Sequence, residues 1–251
     1  CGHDPRDSTS RASGAQYAKE LKTHWDWNKV RFGVPREYMG DGLSDEVRDR
    51  VETSARWLES QGAKRVDVSL PHSRYAVSVY YLVAVSEASS NLSRFDGVRF
   101  GARTGEAERA ASMDDFYASV RSQFGAEVKR RIILGTFALS SGYADQYYSR
   151  AAKVRRLIAQ DFEQAFRKVD FLISPVAPST AYLQGAKTQD PLAMYLNDIL
   201  TIPVNLAGLP GVSVPCGAGS ENLPIGLQWI GSTMSDERLL AAAHAFEKGF
   251  S

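Results

Sequence analysis

The sequence is poor in cysteine. Cys1 and Cys216 are its only two, far apart and in unlike surroundings, which gives no disulfide framework and suits a reducing compartment. The expected location is the cytoplasm, with an organelle open if a targeting peptide precedes the sequence. Histidine is also scarce. His3, His24, His72 and His244 stand in no recognisable triad setting, so Ser86, Ser89, Ser90, Ser140, Ser141 and Ser213 lack the adjacent base that a serine nucleophile needs. Their hydroxyls are expected to be solvated or bonded into helices. The same scarcity gives no zinc-like ligand spacing, and no metal is expected in this chain. Long apolar runs are missing too: nothing approaches the roughly 18 residues of a membrane span, and no signal-like region opens the sequence. No membrane partner is expected. Nor is there an excess of charge, because 30 basic residues face 29 acidic ones, which leaves no electrostatic footprint for autonomous RNA binding.

What is present is ordinary globular composition, 43% hydrophobic and 24% charged, enough for one sizeable core and one domain. Residues 1–14 carry no apolar period and read as an extended leading segment. A strand is predicted over Val30 to Val34. Ser44 precedes Asp45 and Glu46 as an N-cap, and Val47, Val51, Ala55 and Leu58 follow at helical spacing until Gly62. Val66, Val68 and Leu70 then alternate with polar residues as a half-buried strand. This strand, helix, strand unit predicts an α/β fold. Helix is predicted from about Tyr75 to Arg94, a loop or excursion from Arg99 to Ser112, and helix again over Glu127 to Ser140 and Asp145 to Lys168. Phe171 to Ser174 is a continuous apolar run, the mark of a strand buried on both faces. Asp236 to Lys248 closes the chain as an amphipathic helix.

The stretch from Asp190 to Gly231 stands apart. A turn region punctuated by glycine and proline joins two short apolar strands, Gly211 to Pro215 and Ile225 to Ile230. Asn197, Asp198, Thr201 and Asn205 are spaced through its apolar part, where an unpaired buried polar group costs roughly 1 to 3 kcal/mol, so partners are expected for them. Cys216 reads as a small buried apolar residue.

TIPVNLAGLPGVSVPCG followed by LPIGLQWIG resembles the amidase signature family, and within it the A subunits of glutamyl-tRNA(Gln) amidotransferases. GHDPRDSTS at 2–10, GVPREY at 33–38, SEASSNLSRFDGVRFG at 86–101 and EVKRRIILGTFALSSGY at 127–143 resemble the same family in the same order. The resemblance implies a part of a mixed β-sheet covered by helices. It further implies that residues 1–251 form the C-terminal half of a single amidase domain. The family's catalytic lysine and two serines lie upstream of the GHDPRDST segment, and nothing in this sequence matches their Gly/Ser-rich signature.

The activity implied is glutamine hydrolysis. An upstream lysine and serine pair would attack the side-chain amide of glutamine and release ammonia. A B subunit, using ATP and magnesium, would pass that ammonia to an activated glutamyl-tRNA in a complex with a C subunit. This half by itself is expected to be inactive, with tRNA contacted only through the complex. Two other readings stay open: a different hydrolase of the same family, and a non-catalytic docking module.

Four residues are candidates for gripping substrate. Lys129, Arg130 and Arg131 form a basic run that is ordinarily a solvated helix face. Successive helical residues point about 100° apart, however, and Ile132, Ile133 and Leu134 predict a helix that buries much of its surface and turns one of the three inward. The resemblance implies that Arg131 holds the substrate's α-carboxylate, which a guanidinium can do with two parallel hydrogen bonds. Asn197 and Asp198 read equally well as turn caps, while the resemblance implies that Asp198 binds the α-ammonium. Tyr80 and Tyr81 point to different helix faces, and the resemblance gives one of them the pocket wall without fixing which.

Overall fold

In the computed structural model the described residues are 2–10, 17–21, 24–103, 105–186 and 196–250. Cys1, the end of the leading segment at 11–14, and residues 190–195 of the singled-out stretch lie outside them. In chain order the longer elements are β1 (Arg31–Pro35), α1 (Asp45–Ser60), β2 (Lys64–Val68), α2 (Ala76–Leu92), α3 (Met113–Ser122), α4 (Ala126–Leu139), α5 (Arg150–Phe166), β3 (Phe171–Pro175), α6 (Ile202–Ala207), β4 (Gly211–Ala218), β5 (Pro224–Ile230) and α7 (Asp236–Gly249). They fall into two compact units, one comprising Cys1–Val77 with Arg156–Ser251, the other Ser78–Arg155.

The first unit is a mixed sheet covered by helices, the α/β fold that the strand, helix, strand pattern predicts and the mixed sheet that the resemblance implies. Its strand order is β2-β1-β3-β5-β4. β1 pairs in parallel with β2 and β3, and β5 runs antiparallel to β3 and β4. Alternate residues of the strands, among them Phe32, Val34, Phe171, Ile173, Leu227 and Trp229, face one core with Val47, Val51, Ala55 and Leu58 of α1 and Leu239, Ala242 and Phe246 of α7. The spacing of the α1 set by four, four and three residues puts those side chains on one stripe, which is why that face and not another is buried. Trp229 sits at the centre, its ring centroid 5.5 Å from Phe246, 5.8 Å from Phe171 and 6.1 Å from Trp27. β3 is buried along its whole length.

Local chemistry departs from expectation at Ser44. Its backbone is extended and its carbonyl accepts from Arg48 N at 3.0 Å, as at an N-cap. Its hydroxyl makes no capping bond and, although buried, finds no partner among the described residues. The start of α1 is instead supported by Asp45 and Glu46 in the first turn, where carboxylates oppose the positive end of the helix dipole.

In the second unit α2 and α4 touch at Gly135. A Cβ built there would lie 2.0 Å from the Val85 carbonyl oxygen, so only glycine lets the two backbones approach so closely. Ser89 Oγ and Thr136 Oγ1 share a hydrogen bond of 3.0 Å nearby. α3 is absent from the sequence-based prediction. Its N-cap is Ser112, whose hydroxyl accepts from Asp115 N at 3.1 Å. A second correction concerns α4: Ile133 is 69% exposed, Phe137 53% and Leu134 47%. α4 packs through the small residues Gly135 and Ala138, and the aliphatic residues beside them are left bare among the described residues.

Candidate functional site

Arg131 lies on α4 one turn before Gly135, so the close α2–α4 approach sets what its side chain can reach. Its Nε donates to Glu127 Oε1 at 2.9 Å, and its Nη1 donates to the Tyr80 hydroxyl at 3.3 Å. Arg131 is the more sheltered of the two arginines on this turn, its side chain 34% exposed against 51% for Arg130. Arg130 also bonds to Glu127, through its Nε at 2.9 Å, and Lys129 Nζ donates to the Ser122 carbonyl. The Glu127 carboxyl is held below the usual carboxylate range by Arg131 first and Arg130 second. The same bond, with the one to Tyr80, pushes the Arg131 guanidinium further up from its already high ordinary value. Arg131 is therefore a fixed, half-sheltered cation carrying donors on a planar fork, a group suited to a carboxylate. Tyr81 is half-buried, its ring edge-on to that of Tyr80 at 5.4 Å between centroids.

Asp198 belongs to the first unit. Its carbonyl accepts from Thr201 N at 3.0 Å, Ile202 N at 2.9 Å and Thr201 Oγ1 at 3.1 Å, which closes the turn into α6. The Asp198 carboxylate is exposed and makes no hydrogen bond among the described residues. Asn205 Nδ2 donates to the Thr201 carbonyl at 3.1 Å, and Asn197 Nδ2 donates to the Tyr182 hydroxyl at 3.3 Å. Burial thus does not explain these polar residues as a group. Asp198 and Asn205 are exposed, the Thr201 and Asn205 side chains bond within the segment, and Asn197 bonds to Tyr182 outside it. A cavity of about 510 Å³ in this unit is lined by Glu37, Tyr38, Asp41, Arg74, Asn197, Ile199 and Leu200 among others, so both chain neighbours of Asp198 stand in its wall.

Behind that segment lies the face of the sheet opposite the aromatic core. Ser213, Gln228 and Ser174 are register partners across β4, β5 and β3. Gln228 Nε2 donates to Ser174 Oγ at 3.0 Å and to the Leu200 carbonyl at 3.1 Å.

The serines behave in three ways. Ser140 Oγ donates to the Phe137 carbonyl, Ser213 lines a second cavity of about 290 Å³, and Ser86, 1% exposed, has a hydroxyl with no partner among the described residues. Ser86 is thus neither solvated nor bonded into its helix. His72 does meet a carboxylate: Asp161 accepts from the His72 backbone N at 2.8 Å and pairs with Nδ1 at 2.9 Å. No hydroxyl bonds its other ring nitrogen among the described residues, so the pair is a clamp between the start of α2 and α5. Cys216 is buried, donates to the Ile225 carbonyl, and burial pushes its thiol up to about 11. Among the described residues no group of three or more His, Cys, Asp or Glu side chains could hold a metal ion, and no helix is long and apolar enough to cross a membrane.

Residues 1–240 match the profile of the family described as Amidase. The chain belongs to the amidase family. It is 51% identical over 249 residues to the A subunit of glutamyl-tRNA(Gln) amidotransferase from Thermosynechococcus vestitus, covering 98% of this chain and 51% of that protein. It is 53% identical over 248 residues to the protein of the same name from a Geobacillus species, covering 98% of this chain and 50% of the relative. Among solved structures, the A subunit of glutamyl-tRNA(Gln) amidotransferase from Thermotoga maritima superposes with a TM-score of 0.74 at 36% identity, over 99% of this chain and 48% of that one. The chain spans about half the length of the curated relatives it matches.

In this amidase chain, sequence reasoning passed over Glu127 and Gln228. Glu127 was open to detection, because Glu at i and Arg at i+4 is the spacing that pairs on a helix. Gln228 carries no comparable signal, since its partners are 54 and 28 residues away.

Proposed function

We propose that this chain is the substrate-gripping half of the A subunit of a glutamine-hydrolysing amidotransferase. The observation that carries the reading is the identity of 51 to 53% over 98% of the chain with proteins of that name. Arg131 offers a fixed guanidinium and Asp198 an exposed carboxylate without a partner among the described residues. In this reading Arg131 holds the α-carboxylate of glutamine, Asp198 its α-ammonium, and Tyr80 the pocket wall through its bond to Arg131. Residues of the preceding half, a lysine and two serines, carry out the attack on the amide. The ammonia released goes to a B subunit, which activates glutamyl-tRNA with ATP and magnesium. A C subunit completes the complex, through which tRNA is bound.

The test is ammonia release by the full-length protein from glutamine and from butanamide, which has neither charge. A strong preference for glutamine is expected. Equal use of the two amides would remove both charged contacts and leave a general amidase.

A further inference from the structure

The exposed Asp198 carboxylate sits in a segment that borders a cavity, since Asn197, Ile199 and Leu200 all line the space of about 510 Å³. A carboxylate that reads a single ammonium has to be held to a fraction of an ångström. Something must therefore fix this segment, and the sheet bonds to it. Gln228 is buried on β5, and its one amide nitrogen spends both hydrogens: one on Ser174 Oγ of the neighbouring strand β3, the other on the Leu200 carbonyl. Ser174 Oγ in turn donates to the Pro175 carbonyl at 3.2 Å, so its lone pairs remain for Gln228. The glutamine is thus braced by the rigid sheet and reaches out to the segment two residues past Asp198. There the Asp198 carbonyl is bonded to Thr201 and Ile202, so Leu200 lies inside the turn that Asp198 opens.

We infer that Gln228 is a positioning residue for the ammonium-reading carboxylate, tying the Asp198–Ile202 turn to the sheet through the Leu200 carbonyl. It touches no substrate and acts only through the backbone. The inference rests on the reading of Asp198 given above. A buried side chain with two donors of its own and two acceptors on different elements is well suited to this, because losing it leaves both acceptors without their donor.

The test compares glutamine with 4-carbamoylbutanoate, the same molecule without the α-ammonium, in the full-length protein. The readout is the ratio of the two kcat/KM values, which a general loss of stability lowers for both substrates alike. The variants are Asp198→Asn, Gln228→Met and Ser174→Ala. Asp198→Asn is expected to cut the preference for glutamine by about tenfold, the worth of one charge-assisted hydrogen bond. Gln228→Met is expected to lose most of the same preference while 4-carbamoylbutanoate hydrolysis changes little, and Ser174→Ala, which leaves the bond to Leu200, to keep it. If Gln228→Met does not fold, Gln228→Asn replaces it, since the amide is retained but is one methylene too short for Leu200. A Gln228 variant with the wild-type preference, beside an Asp198→Asn that has lost it, overturns the inference alone. So does an equal loss on both substrates. An Asp198→Asn with the wild-type preference overturns the reading of Asp198, and the inference with it.

Discussion

Arg131 Nε donates to Glu127 Oε1 at 2.9 Å, one helical turn back along α4, while Arg131 Nη1 reaches Tyr80 on α2 at 3.3 Å. Two sides of the guanidinium are thus anchored on two different helices, and its remaining N–H groups are the ones available to a carboxylate. An exposed i,i+4 pair is worth only about 0.3–0.5 kcal/mol. Glu127→Gln is therefore expected to leave the Tm nearly unchanged and to raise the glutamine KM about twofold in the full-length protein, with the KM for 4-aminobutanamide, which lacks the carboxylate, unmoved.

The two tyrosines separate on the same geometry. Tyr80→Phe removes the oxygen that Arg131 bonds and is expected to raise the glutamine KM several-fold, by roughly the 0.5–1.5 kcal/mol of one hydrogen bond. Tyr81→Phe is expected to do so far less. Parallel Michaelis–Menten curves for the two variants check this, and a reversed order would exchange the roles of the two residues.

Gly135 holds α2 against α4. Gly135→Ala places a methyl against the Val85 backbone, which cannot yield as a flexible side chain would, and the expected cost is about 1–3 kcal/mol. Thermal unfolding of the variant should show a clear drop in Tm, together with a raised glutamine KM, because Tyr80 and Arg131 depend on that approach. A drop in Tm with an unchanged KM would separate the helix contact from the site.

The sheet offers a pH test. Burial pushes the Asp170 carboxyl up, but the Arg31 amide and Arg238, bonded to it at 2.9 and 3.0 Å, outweigh burial and leave it below its ordinary value. A carboxyl lowered on folding contributes stability that is present above its unfolded value, near pH 4, and lost as the pH falls through its folded value. Asp170→Asn should therefore destabilise by about 1–3 kcal/mol at neutral pH. Chemical denaturation repeated below pH 4 should show the gap to wild type closing.

The sheet was legible because its strands carry their surroundings in their composition. Phe171 to Ile173 is apolar without a break, the mark of a strand covered on both faces, and Val66 and Val68 alternate with polar residues as a more exposed strand does. The short helix α6 was not legible. Pro203 and Gly208 punctuate a turn equally well, yet here proline stands in the first turn of a helix and Gly208, at φ 69°, ends it in the left-handed conformation. The burial of α4 was misread for a different reason. Ile133, Leu134 and Phe137 state that a surface is apolar, not whether the surface that covers it lies among the same residues. For the proposed grip, the sequence carries the charge types but not their support. A guanidinium at Arg131 and a carboxylate at Asp198 are written in the sequence and are what the proposal uses, whereas the bond from Gln228 to Leu200 joins residues that only the folded sheet brings together.

The most direct measurement is the glutamine KM of full-length protein carrying Arg131→Lys, with 4-aminobutanamide as the carboxylate-free control. Lysine keeps the charge but loses the planar fork. A rise of about tenfold or more for glutamine, with the control substrate unaffected, is the expected result. An unchanged glutamine KM would take Arg131 out of the site and with it the proposed grip on the α-carboxylate.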